Sequence, residues 1–379
     1  MKLPDQSPPA AVAATPQSLI REEVLALGAY PVPDSTGLVK LDAMENPYRL
    51  PPALAAELGT LLAKAPVNRY PQADASVLKA AIREALAVPA DCDILLGNGS
   101  DEIIQLLALA VAKPGAVLAS IEPTFVMFRM IATFTGLRYA SCALRADFSL
   151  DVEAVLAMLE RERPAVMFLA TPNNPTGNAF SRADIERIAR AAPGLLVVDE
   201  AYYAFGDSSH LELAGRLPNL LVMRTFSKLG MAGLRLGFLV GPRVWLEQLD
   251  KLRLPYNVNM LTQVAATRLL ASYGELAAQA RSIRADRERL AGALAAITGV
   301  QVFASEANFL LFRVAGAAAV FDALLARGVL IKNVSRAHPL LADCLRVTVG
   351  TPQENARFLA ALGEAIGAPA GVSRGRGAA

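Results

Sequence analysis

Leu220-Leu221-Val222-Met223-Arg224-Thr225-Phe226-Ser227-Lys228-Leu229-Gly230 is the stretch from which the rest of the chain can be read. Its four leading apolar residues read as a buried strand, and a lysine stands where that strand gives out. Met231-Ala232-Gly233-Leu234-Arg235-Leu236 then leads into a second apolar run, Gly237-Phe238-Leu239-Val240. An amine so placed can form a Schiff base while Ser227 and Arg235 hold a phosphate. Most lysines are solvated surface charges, so Lys228 needs other segments that ask for the same ligand.

Working outward, residues 94–96, 117–121, 166–170 and 195–198 are short, continuous apolar runs alternating with helical segments. Such runs indicate a mainly parallel sheet with helices on both faces, an α/β fold. Ligands bind such sheets at the carboxyl ends of the strands. Each expected strand end carries polar or glycine-rich residues: Gly97-Asn98-Gly99-Ser100-Asp101, Glu122-Pro123-Thr124-Phe125, Thr171-Pro172-Asn173-Asn174-Pro175-Thr176-Gly177 and Asp199-Glu200.

The remaining chain divides by composition and periodicity. Residues 1–17, rich in Pro, Ala, Ser and Gln, read as a disordered leader. Residues 18–46 read as an N-terminal arm, with Ser18 capping a helix over 19–27 and a short strand over 38–41. Residues 47–258 form a large domain that opens with a helix from Pro51 and another over 75–87. Residues 259–366 begin with a long helix over 260–294. A smaller domain follows, with strands over 309–314, 329–331 and 345–349 and helices over 317–326 and 352–366. Residues 367–379 read as a loose tail.

Composition narrows the function. The 379 residues are 54% hydrophobic and 19% charged, a globular balance, and the net charge of +2 implies no polybasic face for nucleic acid or membrane. No charge-free stretch reaches membrane-spanning length and no signal peptide is read. Three cysteines fall at no metal spacing. His210 and His338 are the only histidines, which disfavours a zinc site or a Ser-His-Asp triad. The expectation is a cytoplasmic enzyme whose acid-base chemistry falls to other groups.

Asp199 follows four apolar residues, where an unpaired carboxylate costs several kcal/mol. A structural arginine, a helix N-terminus or a protonated pyridine nitrogen would each resolve that cost. Tyr202, three residues on, and Asn174 after another strand can bind a phenolate-like oxygen, although turn formation alone explains the Asn174 segment. Ser100 reads as an N-cap at a helix start that can accept a phosphate, and Phe125 as a ring that stacks or simply packs. Together these residues describe pyridoxal phosphate. Lys228 would bond its aldehyde, Asp199 would keep its ring nitrogen protonated, and Ser100, Ser227 and Arg235 would hold its phosphate.

Thr171–Gly177, Val198-Asp199-Glu200-Ala201-Tyr202 and Ser227-Lys228 with Gly233-Leu234-Arg235-Leu236-Gly237 resemble the signature of fold-type I pyridoxal-phosphate-dependent aminotransferases. More narrowly, Glu45-Asn46-Pro47-Tyr48, Asn68-Arg69-Tyr70-Pro71, Gly99-Ser100-Asp101-Glu102 and Cys344-Leu345-Arg346-Val347-Thr348-Val349-Gly350-Thr351 resemble the histidinol-phosphate aminotransferase family, over about residues 18–365. The resemblance implies a seven-stranded sheet sandwiched by helices, a smaller α+β C-terminal domain and a homodimer with a shared active site. It implies transamination between histidinol phosphate and 2-oxoglutarate in histidine biosynthesis, with an aromatic aminotransferase or a threonine-phosphate decarboxylase as alternatives. By the same resemblance Asp101 joins the cofactor site, and Tyr70 reaches the cofactor phosphate of the other subunit. Arg346 clamps the substrate carboxylate as a bidentate pair. Lys332 stands where the family often has a second arginine for the substrate phosphate, with Arg336 as the substitute. Tyr30 and Asn46 complete the expected substrate pocket.

Overall fold

The computed structural model describes residues 14–29 and 31–367. The expected leader before residue 14, the tail after Gly367 and the reading of Tyr30 lie outside the described residues. Residues up to Asp34 form one unit and those from Ser35 a second. In the first, the single helix expected over 19–27 is replaced by two short turns, Pro16–Leu19 and Glu22–Leu25. Thr15 rather than Ser18 is the cap, and Ile20 drops into extended backbone (ψ 136°) between the turns. Four residues per turn carry no buried side chain, so nothing holds a longer helix together.

Among its described residues the second unit holds thirteen strands: β1 (Val39–Lys40), β2 (Cys92–Gly97), β3 (Val117–Glu122), β4 (Arg138–Ala143), β5 (Val166–Ala170), β6 (Leu195–Asp199), β7 (Leu220–Thr225), β8 (Gly237–Pro242), β9 (Val300–Val302), β10 (Phe309–Val314), β11 (Val329–Leu330), β12 (Lys332–Asn333) and β13 (Cys344–Thr348). Seven of them form the expected mainly parallel sheet, in the order β2-β8-β7-β6-β5-β3-β4, with β8 antiparallel to both neighbours. Alternation along β5 and β6 explains why these runs are apolar throughout. Met167, Leu169, Leu196 and Val198 enter one core, whereas Val166, Phe168, Leu195 and Val197 enter another on the opposite face. Amphipathic helices close both faces. Ser181 caps the helix Arg182–Ala191 through the Asp184 N–H at 3.1 Å, and that helix buries Ile185, Ile188 and Ala189.

The C-terminal part builds a four-stranded antiparallel sheet, β12-β13-β10-β9, and β11 pairs with β1 in parallel. One long helix over 260–294 is not what forms. Met260–Leu270 and Tyr273–Ala295 are separate, with Ser272 at φ −112° and ψ 31° between them. The break lets the first helix pack on Ser76–Leu86 and Pro52–Ala63, and the second on β9 and β10.

Candidate functional site

Strand direction decides which side chains meet. β2, β3, β5, β6 and β7 run the same way, so their carboxyl ends share one edge of the sheet. β8 runs against them, and its first residue, Gly237, lies beside Gly97 of β2 and Thr225 of β7. Arg235, just before β8, is thereby delivered to the same edge. A cavity with about 570 Å³ of empty space opens there, lined by Lys228, Asp199, Tyr202, Asn174 and Phe125. Ser100, Asp101, Ser227 and Arg235 complete its polar wall.

Lys228 sits in a short 3-10 turn, Ser227–Leu229, immediately after β7. Its Nζ donates to the Ala43 carbonyl at 3.1 Å and lies 5.9 Å from the centre of the Tyr202 ring. Burial, reinforced by the Arg346 charge, pushes its amine from 10.5 down to about 8. Asp199 is the last residue of β6 and is buried. Its Oδ1 accepts the Ala201 N–H at 3.0 Å, yet burial outweighs that bond and raises the carboxyl to about 7. Glu200 points elsewhere. It accepts from Arg224 Nε at 2.8 Å and sits 2.8 Å from His210 Nδ1, a buried cluster that ties the ends of β6 and β7.

The adjacent asparagines after β5 divide their tasks. Asn173 builds the loop: its amide donates to the Pro123 carbonyl (2.9 Å) and to Thr176 Oγ1 (2.7 Å), and its oxygen accepts from Thr124 Oγ1 (2.7 Å). Asn174 faces the cavity, where its Oδ1 accepts from Arg346 Nη1. Arg346, buried on β13, also donates to the Asp42 carbonyl at 2.9 Å and lies 5.3 Å from the Phe309 ring centre.

The expected cap at Ser100 is corrected. Gly99 occupies the N-cap position at φ 81°, and Ser100 is the first residue of the helix Ser100–Val111, with its side chain on the cavity. A Cβ at residue 99 would fall 2.8 Å from Arg235 Nη2 and would push the guanidinium aside, and φ 81° with ψ 172° is backbone that glycine adopts without strain. Arg235 itself is left-handed (φ 50°) and donates to Asp101 Oδ2 at 3.3 Å. Helix-start N–H groups, two hydroxyls and an arginine are donors that can hold a phosphate. With a buried carboxylate, an amine of lowered basicity and the Phe125 ring on one cavity, the donor set fits a phosphorylated pyridine aldehyde.

Other expected residues lie elsewhere. Tyr70 is 78% exposed, stacked on Tyr256 with ring centres 4.5 Å apart. Asn46 donates to Gln279 Oε1 at 2.9 Å and accepts the Tyr48 N–H at 2.9 Å. Lys332 stands directly opposite Arg346 in the β12–β13 register, on the same face of that sheet. Arg336 is exposed. Met44 and Thr225 also line the cavity and escaped the sequence reading. Thr225 was findable as the residue that ends β7, whereas nothing in the sequence marks Met44 as left-handed (φ 53°).

The model of the family described as aminotransferase class I and II matches residues 36–362. Histidinol-phosphate aminotransferase 2 of Cupriavidus pinatubonensis is 56% identical, covering 92% of this chain and 97% of that protein. Histidinol-phosphate aminotransferase 1 of Burkholderia mallei is 57% identical, covering 92% and 98%. Among solved structures, histidinol-phosphate aminotransferase from Sinorhizobium meliloti in complex with pyridoxal-5'-phosphate superimposes with a TM-score of 0.82 at 24% identity, covering 92% of this chain and 98% of that one.

Proposed function

The chain belongs to the aminotransferase class I and II family, and we propose that it exchanges an amino group between L-glutamate and imidazole acetol phosphate. The products are 2-oxoglutarate and L-histidinol phosphate, a step of histidine biosynthesis. The protein is a transaminase and its cofactor is pyridoxal phosphate. The observation that carries this reading is the meeting of Lys228 and Asp199 on one cavity, each at the end of its own strand.

When bound, pyridoxal phosphate supplies an electron sink for the charge left as a substrate C–H bond breaks. Protons are the chain's task. Lys228 would hold the cofactor at rest and, as a free amine, would carry a proton to and from the substrate carbon on Nζ. An amine near pKa 8 both takes and gives a proton at neutral pH. Asp199 would keep a proton on the ring nitrogen, because a buried carboxyl poised near 7 ionises when a cation faces it. Asn174 and Tyr202 would hold the ring oxygen, and Phe125 would pack against the ring. Ser100, Asp101, Ser227 and Arg235 form the phosphate end.

Arg346 and Lys332, neighbours on one sheet face, take the anionic end of either substrate, the glutamate carboxylate or the histidinol phosphate group. Asn46 borders that pocket. The working form is a homodimer in which Tyr70 reaches the cofactor phosphate of a second copy. Exposed Val67, Tyr70, Leu254 and Leu261 supply apolar surface for the contact. Its three free cysteines suit a reducing cytoplasm, and among the described residues no helix is long and apolar enough to cross a membrane.

Loaded protein mixed separately with histidinol phosphate, phenylalanine and threonine phosphate, and followed by its visible absorption, tests the substrate. Rapid bleaching by histidinol phosphate is expected, with slow or no change for the other two. Carbon dioxide release from threonine phosphate, or preference for phenylalanine, overturns the assignment.

A further inference from the structure

Asp42, Ala43 and Met44 present three consecutive carbonyls, each taken by a different side chain. Asp42 accepts from Arg346 Nη2 at 2.9 Å, Ala43 from Lys228 Nζ at 3.1 Å and Met44 from Asn308 Nδ2 at 2.9 Å. The Met44 N–H donates to Thr348 Oγ1 at 2.9 Å. Met44 is thus held on both sides of its Cα, and its φ is 53°. A residue with a side chain stays in the left-handed region only where its surroundings over-determine it. That angle turns the peptide plane carrying the Ala43 carbonyl, so the backbone of Met44 decides where Lys228 finds its acceptor.

The two pins come from a rigid place. Asn308 and Thr348 are buried, and Thr348 pairs with Phe309 across β10 and β13. The Val349 N–H donates to the Asn308 carbonyl at 2.9 Å, and the Thr348 N–H to the Leu41 carbonyl at 2.9 Å. Neither side chain lines the cavity.

We propose that Asn308 and Thr348 are positioning residues. By locking Met44 left-handed they aim the Ala43 and Asp42 carbonyls at Lys228 and Arg346, and so set the place of the free Lys228 amine and of the anion clamp together. The inference rests on the reading of Lys228 and Arg346 as the working cations.

Thr348→Val keeps the shape and removes the acceptor, while Thr348→Ser keeps the acceptor. Loaded full-length protein is compared by visible circular dichroism of its bound pyridoxal phosphate, by kcat and KM for glutamate, and by melting temperature. Thr348→Val is expected to lose at least about half its visible ellipticity and about tenfold in kcat while KM rises, since small misplacements of reacting groups cost that much. Thr348→Ser is expected to stay within about twofold of the parent on every readout. A Val variant equal to the parent in ellipticity and kcat, or a Ser variant as impaired as the Val variant, overturns the proposal. Should the Val variant not fold, Asn308→Leu, which has no donor for the Met44 carbonyl, is judged by the same readouts and thresholds. A parent that accepts glutamate but not histidinol phosphate defeats the substrate assignment alone and leaves this comparison intact.

Discussion

Two side chains carry opposite burdens before any ligand arrives. Lys228 is a buried amine whose burial lowers it to about 8, where an exposed lysine stays charged to about 10.5. Capture of pyridoxal phosphate by unloaded protein is therefore expected to quicken with pH up to about 8 and then level off, as stopped-flow absorbance can measure. A rate that climbs steadily to pH 10 would mean an ordinary surface amine. Asp199 is raised from 3.8 to about 7, so between those values folded protein holds a proton that the unfolded chain has lost. Stability falls as pH rises through that window, and the penalty is complete above about 7. Asp199→Asn removes the charge. The unloaded variant is expected to be more stable than the parent at pH 8 by roughly 1–3 kcal/mol in urea titrations, with the gap closing toward pH 4, while turnover falls at least about a hundredfold. A variant less stable than the parent at pH 8 would contradict this. Lys228, Asp199 and Asn174 were legible because polar residues at or within a few positions of the end of an apolar run stand out. The Ala43 carbonyl was not, since one backbone carbonyl looks like any other in a sequence.

Strand ends, rather than single residues, fix the spacing within the site. Glu200 follows Asp199, and its N–H donates to the Met223 carbonyl of β7 at 2.8 Å while its carboxylate grips Arg224 of that strand. Burial pulls Glu200 up, but Arg224 and His210 outweigh it and hold it below the usual carboxylate range. Arg224→Met leaves that carboxylate buried and uncompensated, and is expected to cost about 3–5 kcal/mol in chemical denaturation. Adding Glu200→Leu should recover most of the loss. A double variant as unstable as the single would show that the arginine acts by packing alone. Buried strands and the helix Ala317–Ala326 were readable from continuous or periodic apolar residues. The edge strand β4, half exposed, and the short β9 were missed because each lacks a continuous buried run. The break after Leu270 was missed too, because helical periodicity on either side of Ser272 runs straight through it.

Across the molecule, the antiparallel β8 is what gathers phosphate donors from residues 99–101 and 227–235 onto one edge. The C-terminal sheet brings Arg346 against Asn174 and the strap at Asp42–Met44 from opposite ends of the chain. Parallel layering followed from the strand pattern, but the place of β8 between β2 and β7 did not, because pairing partners are set by long-range packing that local sequence does not encode. If these converging segments hold one cofactor, borohydride reduction of the loaded protein should fix it permanently to a single lysine. Peptide mapping by mass spectrometry is expected to find the phosphopyridoxyl mass on Lys228. The same mass on a different lysine, or on none while the visible band is present, would contradict the site described above.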